Sequence, residues 1–161
     1  MKELMEKYFD RLWPLNRSLS GNANRETLKI LSEIMELKIT EIPSGTKCFD
    51  WNVPPEWNVN EAYIKDSKGN ILADFNKNNL HLLGYSVNFS GVMDLASLKE
   101  HLYSLPEQPD LIPYLTSYYK RRWGFCISHN LLMTLKEGMY EVKIDSEINE
   151  NGSMTMAESA A

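Results

Sequence analysis

The first apolar residues of the chain recur at helical spacing and predict an amphipathic helix over residues 2–13. They are Leu4, Met5, Tyr8, Phe9, Leu12 and Trp13. Pro14 ends this helix, because the residue before a proline avoids helical backbone angles. A second amphipathic helix, capped by Asn24, is predicted to run to about Leu37. Two helices joined by a polar loop do not bury both apolar faces alone, so a sheet or further helices must cover them.

After Leu37 the pattern changes from helical spacing to alternation. Residues 38–42 predict a strand, followed by a turn and a second short strand over residues 46–51. Residues 53–57 contain two prolines and predict a stiff, extended connector. This connector is the best candidate for a boundary between two modules.

The rest of the chain continues with short strands, short helices and turns. In chain order the patterns predict a hairpin of residues 62–65 and 71–75 around Gly69, a strand over 82–89, a helix over 95–105 capped by Asp94, a strand over 123–127, a helix capped by Ser128 and running through Leu135, a strand over 139–148, and a hairpin turn at Asn151 and Gly152 that begins a second arm.

Composition narrows the class of protein. Of 161 residues, 43% are apolar and 11% aromatic, which is enough to build a core and excludes a disordered chain. No apolar run approaches the roughly 18 residues of a membrane span. The net charge of −5 argues against a nucleic-acid partner. The charged N-terminus does not resemble a signal peptide, so Cys48 and Cys126 are expected to be reduced thiols of a cytoplasmic protein. Each cysteine is single and flanked by a phenylalanine, so both are also expected to be buried and inert.

The sequence contains no recognisable catalytic or metal-binding motif. His81, His101 and His129 show no paired ligand spacing, so no metal ligands are predicted. Serine-nucleophile and phosphate-loop motifs are missing, and no catalytic residue is predicted. The carboxylates Glu41, Asp50, Glu56 and Asp145 are interpreted as surface charges.

Residues 116–130 combine aromatic rings with a cation, a histidine and an amide. Such a set is typical of a polar ligand cleft, but it is equally typical of a packing corner where aromatic hydroxyls meet backbone groups. Both alternatives stay open at this point. The candidate ligand-binding residues are Tyr118, Tyr119, Arg121, Trp123 and His129.

Several segments, in order, resemble the front part of a bacterial family of aminopeptidase-like proteins. They are residues 12–21 (LWPLNRSLSG), 25–28 (RETL), 42–54 (IPSGTKCFDWNVP), 84–86 (GYS), 105–109 (LPEQP) and 118–130 (YYKRRWGFCISHN). Members of this family are often associated with surface-polysaccharide gene clusters and are similar to the co-catalytic zinc aminopeptidases. The resemblance extends over nearly the whole chain.

The resemblance implies an α+β chain: an incomplete α/β zinc-exopeptidase-like domain interrupted by a small β-rich inserted domain. Residues 1–50 and 138–161 would belong to the peptidase-like domain and residues 51–137 to the insert. The family chemistry is metal-assisted hydrolysis of N-terminal amide bonds, so the substrate would be a peptide or a glycan-linked amide.

The family's zinc ligands are expected after the segment that here is residues 152–155. The resemblance therefore implies no cofactor in this chain, and a truncated hydrolase that is not catalytic alone. A non-catalytic module that binds a glycan or peptide through residues 118–129 is the alternative of another class, and formation of a homo-oligomer stays open.

Overall fold

The computed structural model of the protein describes residues 2–159 and divides the chain into two compact units. Unit 1 comprises the chain up to Asn58 together with the residues from Ile148 onward, and unit 2 is Val59–Glu147. Helices and strands are mixed, which confirms the α+β class. The predicted division into a peptidase-like domain and an inserted domain stays a prediction.

The elements follow the chain in a simple order. They are α1 (Lys2–Leu12), α2 (Asn22–Leu31), β1 (Lys38–Pro43), β2 (Lys47–Cys48), β3 (Trp51–Asn52), β4 (Glu56–Asp66), β5 (Ile71–Asp74), a short 3-10 helix (Asn79–His81), β6 (Phe89–Asp94), α3 (Leu95–Lys99), β7 (Leu102–Tyr103), β8 (Phe125–Cys126), α4 (His129–Thr134), β9 (Met139–Asn149) and β10 (Ser153–Glu158).

Unit 1 contains a two-stranded antiparallel ribbon of β1 and β10. Its register places Thr40 opposite Met156 and Ile42 opposite Met154. The predicted turn at residues 151–152 is present, but the arm that follows it pairs with β1, which is more than 100 residues earlier in the chain, and not with the preceding strand β9. The expectation of a local hairpin is therefore wrong about the partner strand.

The start of α2 also differs from the prediction. Gly21, not Asn24, is the residue that precedes the helix, and the Asn24 side chain donates to the Ser18 carbonyl at 2.6 Å. A Cβ atom at Gly21 would lie 2.3 Å from the Trp57 carbonyl oxygen, and the residue has a φ of +115°. Only glycine fits this approach. The helix ends at Leu31, six residues before the predicted end, and continues as turns.

Unit 2 is built on a four-stranded sheet in the order β5-β4-β9-β6. The alternation predicted for β9 is confirmed, because Tyr140, Val142 and Ile144 are buried on one face. The core of the unit also contains Leu83, Leu98 and Phe125, each with no exposed surface. Sixteen of the nineteen buried hydrophobic side chains among the described residues belong to this unit.

Two predicted elements of unit 2 are corrected by the structure. Residues 82–88, of which 82–86 are buried, form no strand because their backbone groups bond to separate loops. The Leu83 N–H donates to the Gly124 carbonyl, and the Gly84 N–H donates to the Leu115 carbonyl. The helix capped by Asp94 ends at Lys99, and Leu102 lies in β7, which pairs in parallel with β8. The predicted caps at Asp94 and Ser128 are confirmed.

The two cysteines are free thiols with different environments. Cys126 is buried, as expected, whereas Cys48 is exposed, which corrects the expectation of two buried thiols. Cys48 is exposed because it lies in the two-residue strand of a small hairpin rather than in a core strand. Across residues 2–159, none of the helices is both long enough and apolar enough to cross a membrane.

Candidate functional site

Trp123, one of the predicted ligand-binding residues, is packed between two rings of unit 2. Phe89 stacks on it with ring centroids 4.1 Å apart, and His101 stacks on it with centroids 3.6 Å apart. The indole is 9% exposed. Since both stacks are near-parallel, with interplanar angles of 19° and 12°, the indole faces are engaged within the protein.

The other predicted residues fall into two separate neighbourhoods. Tyr118 packs edge-on against Tyr85, with centroids 5.9 Å apart, and against Tyr119 at 4.6 Å. Tyr119 and Arg121 are exposed. His129, at the start of α4, pairs its Nδ1 with the Ser104 hydroxyl at 3.0 Å. The structure thus brings Tyr118 and Tyr119 together, and ligand binding at these residues stays a prediction.

Among the described residues of unit 1, the Arg25 guanidinium on α2 is the centre of a hydrogen-bond network. It bonds to both carboxylate oxygens of Glu56, Nη1 to Oε1 at 2.7 Å and Nη2 to Oε2 at 2.8 Å. This is the bidentate geometry that makes arginine–carboxylate pairs strong and directional. The Nη2 group also donates to the Ser153 hydroxyl at 3.1 Å. Arg25 therefore joins α2 to the first residue of β4 and the first residue of β10.

Glu41 extends the same network on β1. Its carboxylate accepts from Arg25 Nε at 3.2 Å and from the Thr155 hydroxyl at 2.8 Å, and it also accepts from the Ser153 hydroxyl. Glu56 accepts two further bonds, from Asn58 Nδ2 at 3.1 Å and from the Ser153 backbone N–H at 3.2 Å. We call Arg25, Glu41, Glu56, Ser153 and Thr155 the Arg25 cluster.

The Arg25 cluster keeps its carboxylates ionised. The hydrogen bonds from Arg25 lower the pKa of Glu56 to about 2, although burial opposes this effect. At Glu41 burial would raise the pKa, but the bonds from Ser153, Arg25 and Thr155 lower it on balance. The two carboxylates in turn raise the pKa of Arg25. All three groups are charged at neutral pH.

The role of the Arg25 cluster is structural rather than catalytic. Glu56 is only 10% exposed at its side chain, and its oxygens already accept four bonds, so it does not act as a proton acceptor for a substrate. This corrects the interpretation of Glu56 as a surface charge. Arg25 and Glu56 are 31 residues apart, and no sequence spacing predicts such a pair. The cluster ties α2, β1, β4 and β10 together.

The described residues offer no ligand set for zinc. Within residues 2–159, His, Cys, Asp and Glu side chains form no group of three or more that could hold a metal ion. A zinc site needs at least three such protein ligands. Burial raises the pKa of the Cys126 thiol to about 11, so this cysteine is protonated at neutral pH. We therefore derive no reaction step through zinc from these residues.

Comparison with known protein families identifies the larger part of the chain. Residues 56–147 match the family model described as a domain of unknown function, DUF2172. The chain belongs to the DUF2172 family. The matched segment runs from the first residue of β4 to near the end of β9, so it contains unit 2 and its four-stranded sheet.

Relatives extend the comparison to both units. A protein of Clostridium acetobutylicum, described as a candidate polysaccharide biosynthesis protein with an aminopeptidase-like domain, is 47% identical over 149 residues, which is 92% of this chain. A crystal structure of a candidate peptidase from the same organism is 45% identical, with a TM-score of 0.89 over 94% of this chain. The resemblance to aminopeptidase-like proteins is confirmed. The chain spans 34% and 36% of the length of these two proteins.

Proposed function

We propose that this chain is the N-terminal part of an aminopeptidase-like zinc hydrolase of the cytoplasm. The reaction would be hydrolysis of an N-terminal amide bond in a peptide or a glycan-linked substrate, with zinc supplying an activated water. Because the described residues form no group of three or more His, Cys, Asp and Glu side chains, the metal on this proposal would be held by polypeptide of the kind that the longer relatives carry beyond the matched region. On this proposal the chain is not catalytic alone.

The observation that carries the proposal is the uncovered apolar surface of α1. None of its residues is buried, and Leu4, Met5 and Phe9 are 52%, 66% and 64% exposed. A helix of this amphipathic pattern normally buries its apolar stripe. Full burial of a large apolar side chain contributes about 1.5–3 kcal/mol, and side chains that stay more than half exposed forgo a large part of it. The described part of unit 1 therefore has apolar surface suited to further polypeptide.

The ribbon of β1 and β10 also supports the proposal. One of its faces carries Glu41, Ser153 and Thr155 and is tied to α2 through Arg25. The opposite face carries Ile42, Met154 and Met156, and a shallow groove lies over it. A two-stranded ribbon is marginally stable by itself, whereas it is an ordinary part of a larger sheet. A central α/β sheet continued by further strands would supply the missing cover.

A direct test compares this chain with the longer C. acetobutylicum relative. Purified proteins are assayed for bound zinc and for hydrolysis of aminoacyl p-nitroanilides, with and without a chelator. We expect the relative to bind zinc and to lose its activity when the chelator is added. We expect the 161-residue chain to bind no zinc and to hydrolyse none of the substrates. Stoichiometric zinc binding and turnover by the 161-residue chain would contradict the proposal, as would a relative with no metal-dependent peptidase activity.

A second function, binding of a glycan or peptide by unit 2, is favoured by one observation. The Tyr119 ring is 59% exposed beside the half-buried Tyr118, with Arg121 exposed two residues later. Tyrosine and arginine are enriched in recognition surfaces. Titration of the chain with a panel of sugars and peptides, followed by tryptophan fluorescence, tests it. A panel without any response, or a response unchanged in Tyr119→Ala, would count against this function.

A further inference from the structure

The most exposed large hydrophobic side chain of the described residues lies at the tip of the β2–β3 hairpin. Cys48 pairs with Trp51 across the hairpin, so Phe49 and Asp50 are the two turn residues. Phe49 is 94% exposed. We call residues 48–51 the Phe49 tip.

The backbone at this tip is strained. Phe49 has a φ of +56°, in the left-handed region that glycine adopts freely and that a bulky residue avoids. A turn of this kind would be more stable with glycine at the same position. Because the Phe49 ring is exposed, burial within the chain contributes almost no stabilising free energy to offset this strain. Residues held in such conformations cluster at functional positions such as active sites, ligand clamps and switch regions.

The hairpin below the tip is held firmly in unit 1. The Gly45 N–H donates to the Val53 carbonyl at 2.8 Å, and the Val53 N–H donates to the Thr46 carbonyl at 2.9 Å. Val53 itself is 3% exposed, so the base of the hairpin is anchored in the small core of unit 1. The aromatic ring is therefore presented on a fixed base, and a preordered anchor loses little conformational entropy on binding.

We propose that the Phe49 tip is a docking anchor that inserts into an apolar pocket of the catalytic polypeptide that the longer relatives carry beyond the matched region. The relatives are about three times the length of this chain, which leaves ample polypeptide to provide that pocket. Buried aromatic anchors carry much of the binding energy of protein interfaces. The exposed Asp50 carboxylate beside the ring suits a pocket with a basic residue at its rim. This inference rests on the proposed function for the identity of the partner.

Cys48 provides a reporter inside the tip. It is exposed, and the other cysteine, Cys126, is buried and serves as an internal reference. The experiment uses two proteins: the 161-residue chain, and a hybrid in which this chain replaces the matched third of the C. acetobutylicum relative. Alkylation of Cys48 is followed by mass spectrometry, and thermal unfolding is measured for both proteins with Phe49, Phe49→Gly and Phe49→Ala.

The expected effects have opposite signs in the two proteins. In the 161-residue chain Phe49→Gly raises the Tm by a few degrees, because glycine relieves the strain, and Cys48 alkylates rapidly. In the hybrid Cys48 alkylates at least tenfold more slowly, Phe49→Gly and Phe49→Ala restore rapid alkylation, and both lower the Tm. Met133→Ala, which removes a 72% exposed side chain of unit 2, changes neither readout.

Several outcomes would overturn the inference. Equal Cys48 alkylation in hybrid and chain would show that the tip is not covered. A Phe49→Gly variant of the isolated chain with an unchanged or lower Tm would remove the strain argument, and this arm holds even if the hybrid does not fold. Protection that depends on the concentration of the isolated chain would identify a second copy as the partner instead.

The readouts separate this inference from the proposed function. A hybrid that binds zinc and hydrolyses aminoacyl substrates with Cys48 fully exposed overturns only the docking anchor. A hybrid with Cys48 protected but without zinc or hydrolysis overturns only the hydrolase proposal and supports docking on the same polypeptide.

Discussion

Glu56 carries a full negative charge at a nearly buried position because four N–H groups reach its two oxygens. Two come from Arg25, one from the Asn58 side chain and one from the Ser153 backbone. A buried charge is tolerated only when it is paired and hydrogen-bonded in this way. Removal of the charge therefore leaves the Arg25 guanidinium, which is 33% exposed, without its main partner.

We expect Glu56→Gln to lower the free energy of unfolding by about 2 kcal/mol, because it replaces charge-assisted hydrogen bonds with neutral ones. Urea denaturation at pH 7 measures the loss. Glu26→Gln on the same helix is the control, since it removes an exposed pair with Lys29 and should have little effect. Equal losses in the two variants would contradict a special role of Glu56.

The same carboxylate makes stability depend on pH. The pKa of Glu56 is lowered from 4.5 to about 2, so its contribution is fully present above pH 4.5 and is lost as the pH falls toward 2. Urea denaturation of wild type and Glu56→Gln between pH 7 and pH 2 should show their difference shrinking over that window. A difference that is the same at pH 7 and pH 2.5 would show that Glu56 is not the titrating group.

Gly152 is required by the close approach of Glu56. A Cβ atom at Gly152 would lie 2.3 Å from the Glu56 Cβ and 2.8 Å from its Oε2. We expect Gly152→Ala to destabilise the chain by about 1–3 kcal/mol, as overpacking does. Gly91→Ala is the matched control, because there the added atom meets only the Phe89 ring at 3.2 Å. Chemical denaturation that ranks Gly91→Ala as the more harmful change would refute this reading.

At the scale of elements, short helices depend on their caps. The α4 helix has six residues, and the Ser128 hydroxyl accepts from the Leu131 N–H at 3.2 Å to begin it. We expect Ser128→Ala to cost about 1 kcal/mol of stability, whereas Ser128→Asp keeps most of it because aspartate caps equally well. Equilibrium unfolding of the two variants measures this, and equal stability of both would argue against the cap.

Local patterns predicted the elements that are built from local interactions. The buried face of β9 follows from strict alternation, and the caps of α3 and α4 follow from Asp94 and Ser128. Residues 82–88 show the limit of such patterns: Leu82 and Leu83 are apolar and buried, but their segment is held by separate loops rather than by a strand. An apolar sequence therefore predicts that a segment is buried, but whether the segment forms a strand depends on which backbone groups it bonds to.

Long-range pairs could not be predicted from the sequence. The Arg25 cluster joins residues 25, 41, 56 and 153, and nothing in their local contexts marks them as partners. Likewise the sequence predicts a turn at Gly152, but it does not predict that the strand after the turn, β10, pairs with β1. The stacking of Trp123 on His101 shows the same limit, since the aromatic stretch indicated either a cleft or a packing corner.

Across the whole molecule, hydrophobic side chains are buried to very different degrees. We expect the loss of stability on substitution to be larger for the more deeply buried side chains. Phe125 in unit 2 has no exposed surface, whereas Phe9 on α1 is 64% exposed. We expect Phe125→Ala to cost about 3–5 kcal/mol and Phe9→Ala less than about 0.5 kcal/mol in the isolated chain. Thermal and urea unfolding measure both changes. A large loss from Phe9→Ala would mean that α1 is covered in solution, for example by self-association.

The pairing of β1 with β10 has a consequence during synthesis of the protein. When Lys38–Pro43 leaves the ribosome, its partner Ser153–Glu158 has not been translated. At roughly 5–20 residues per second the wait is on the order of 10 s, which is far longer than a domain of this size needs to fold. All of unit 2 is translated before the ribbon closes. Throughout that interval the backbone N–H and C=O groups of β1 lack the partner strand that they have in the folded chain, so this segment is open to pairing with another chain.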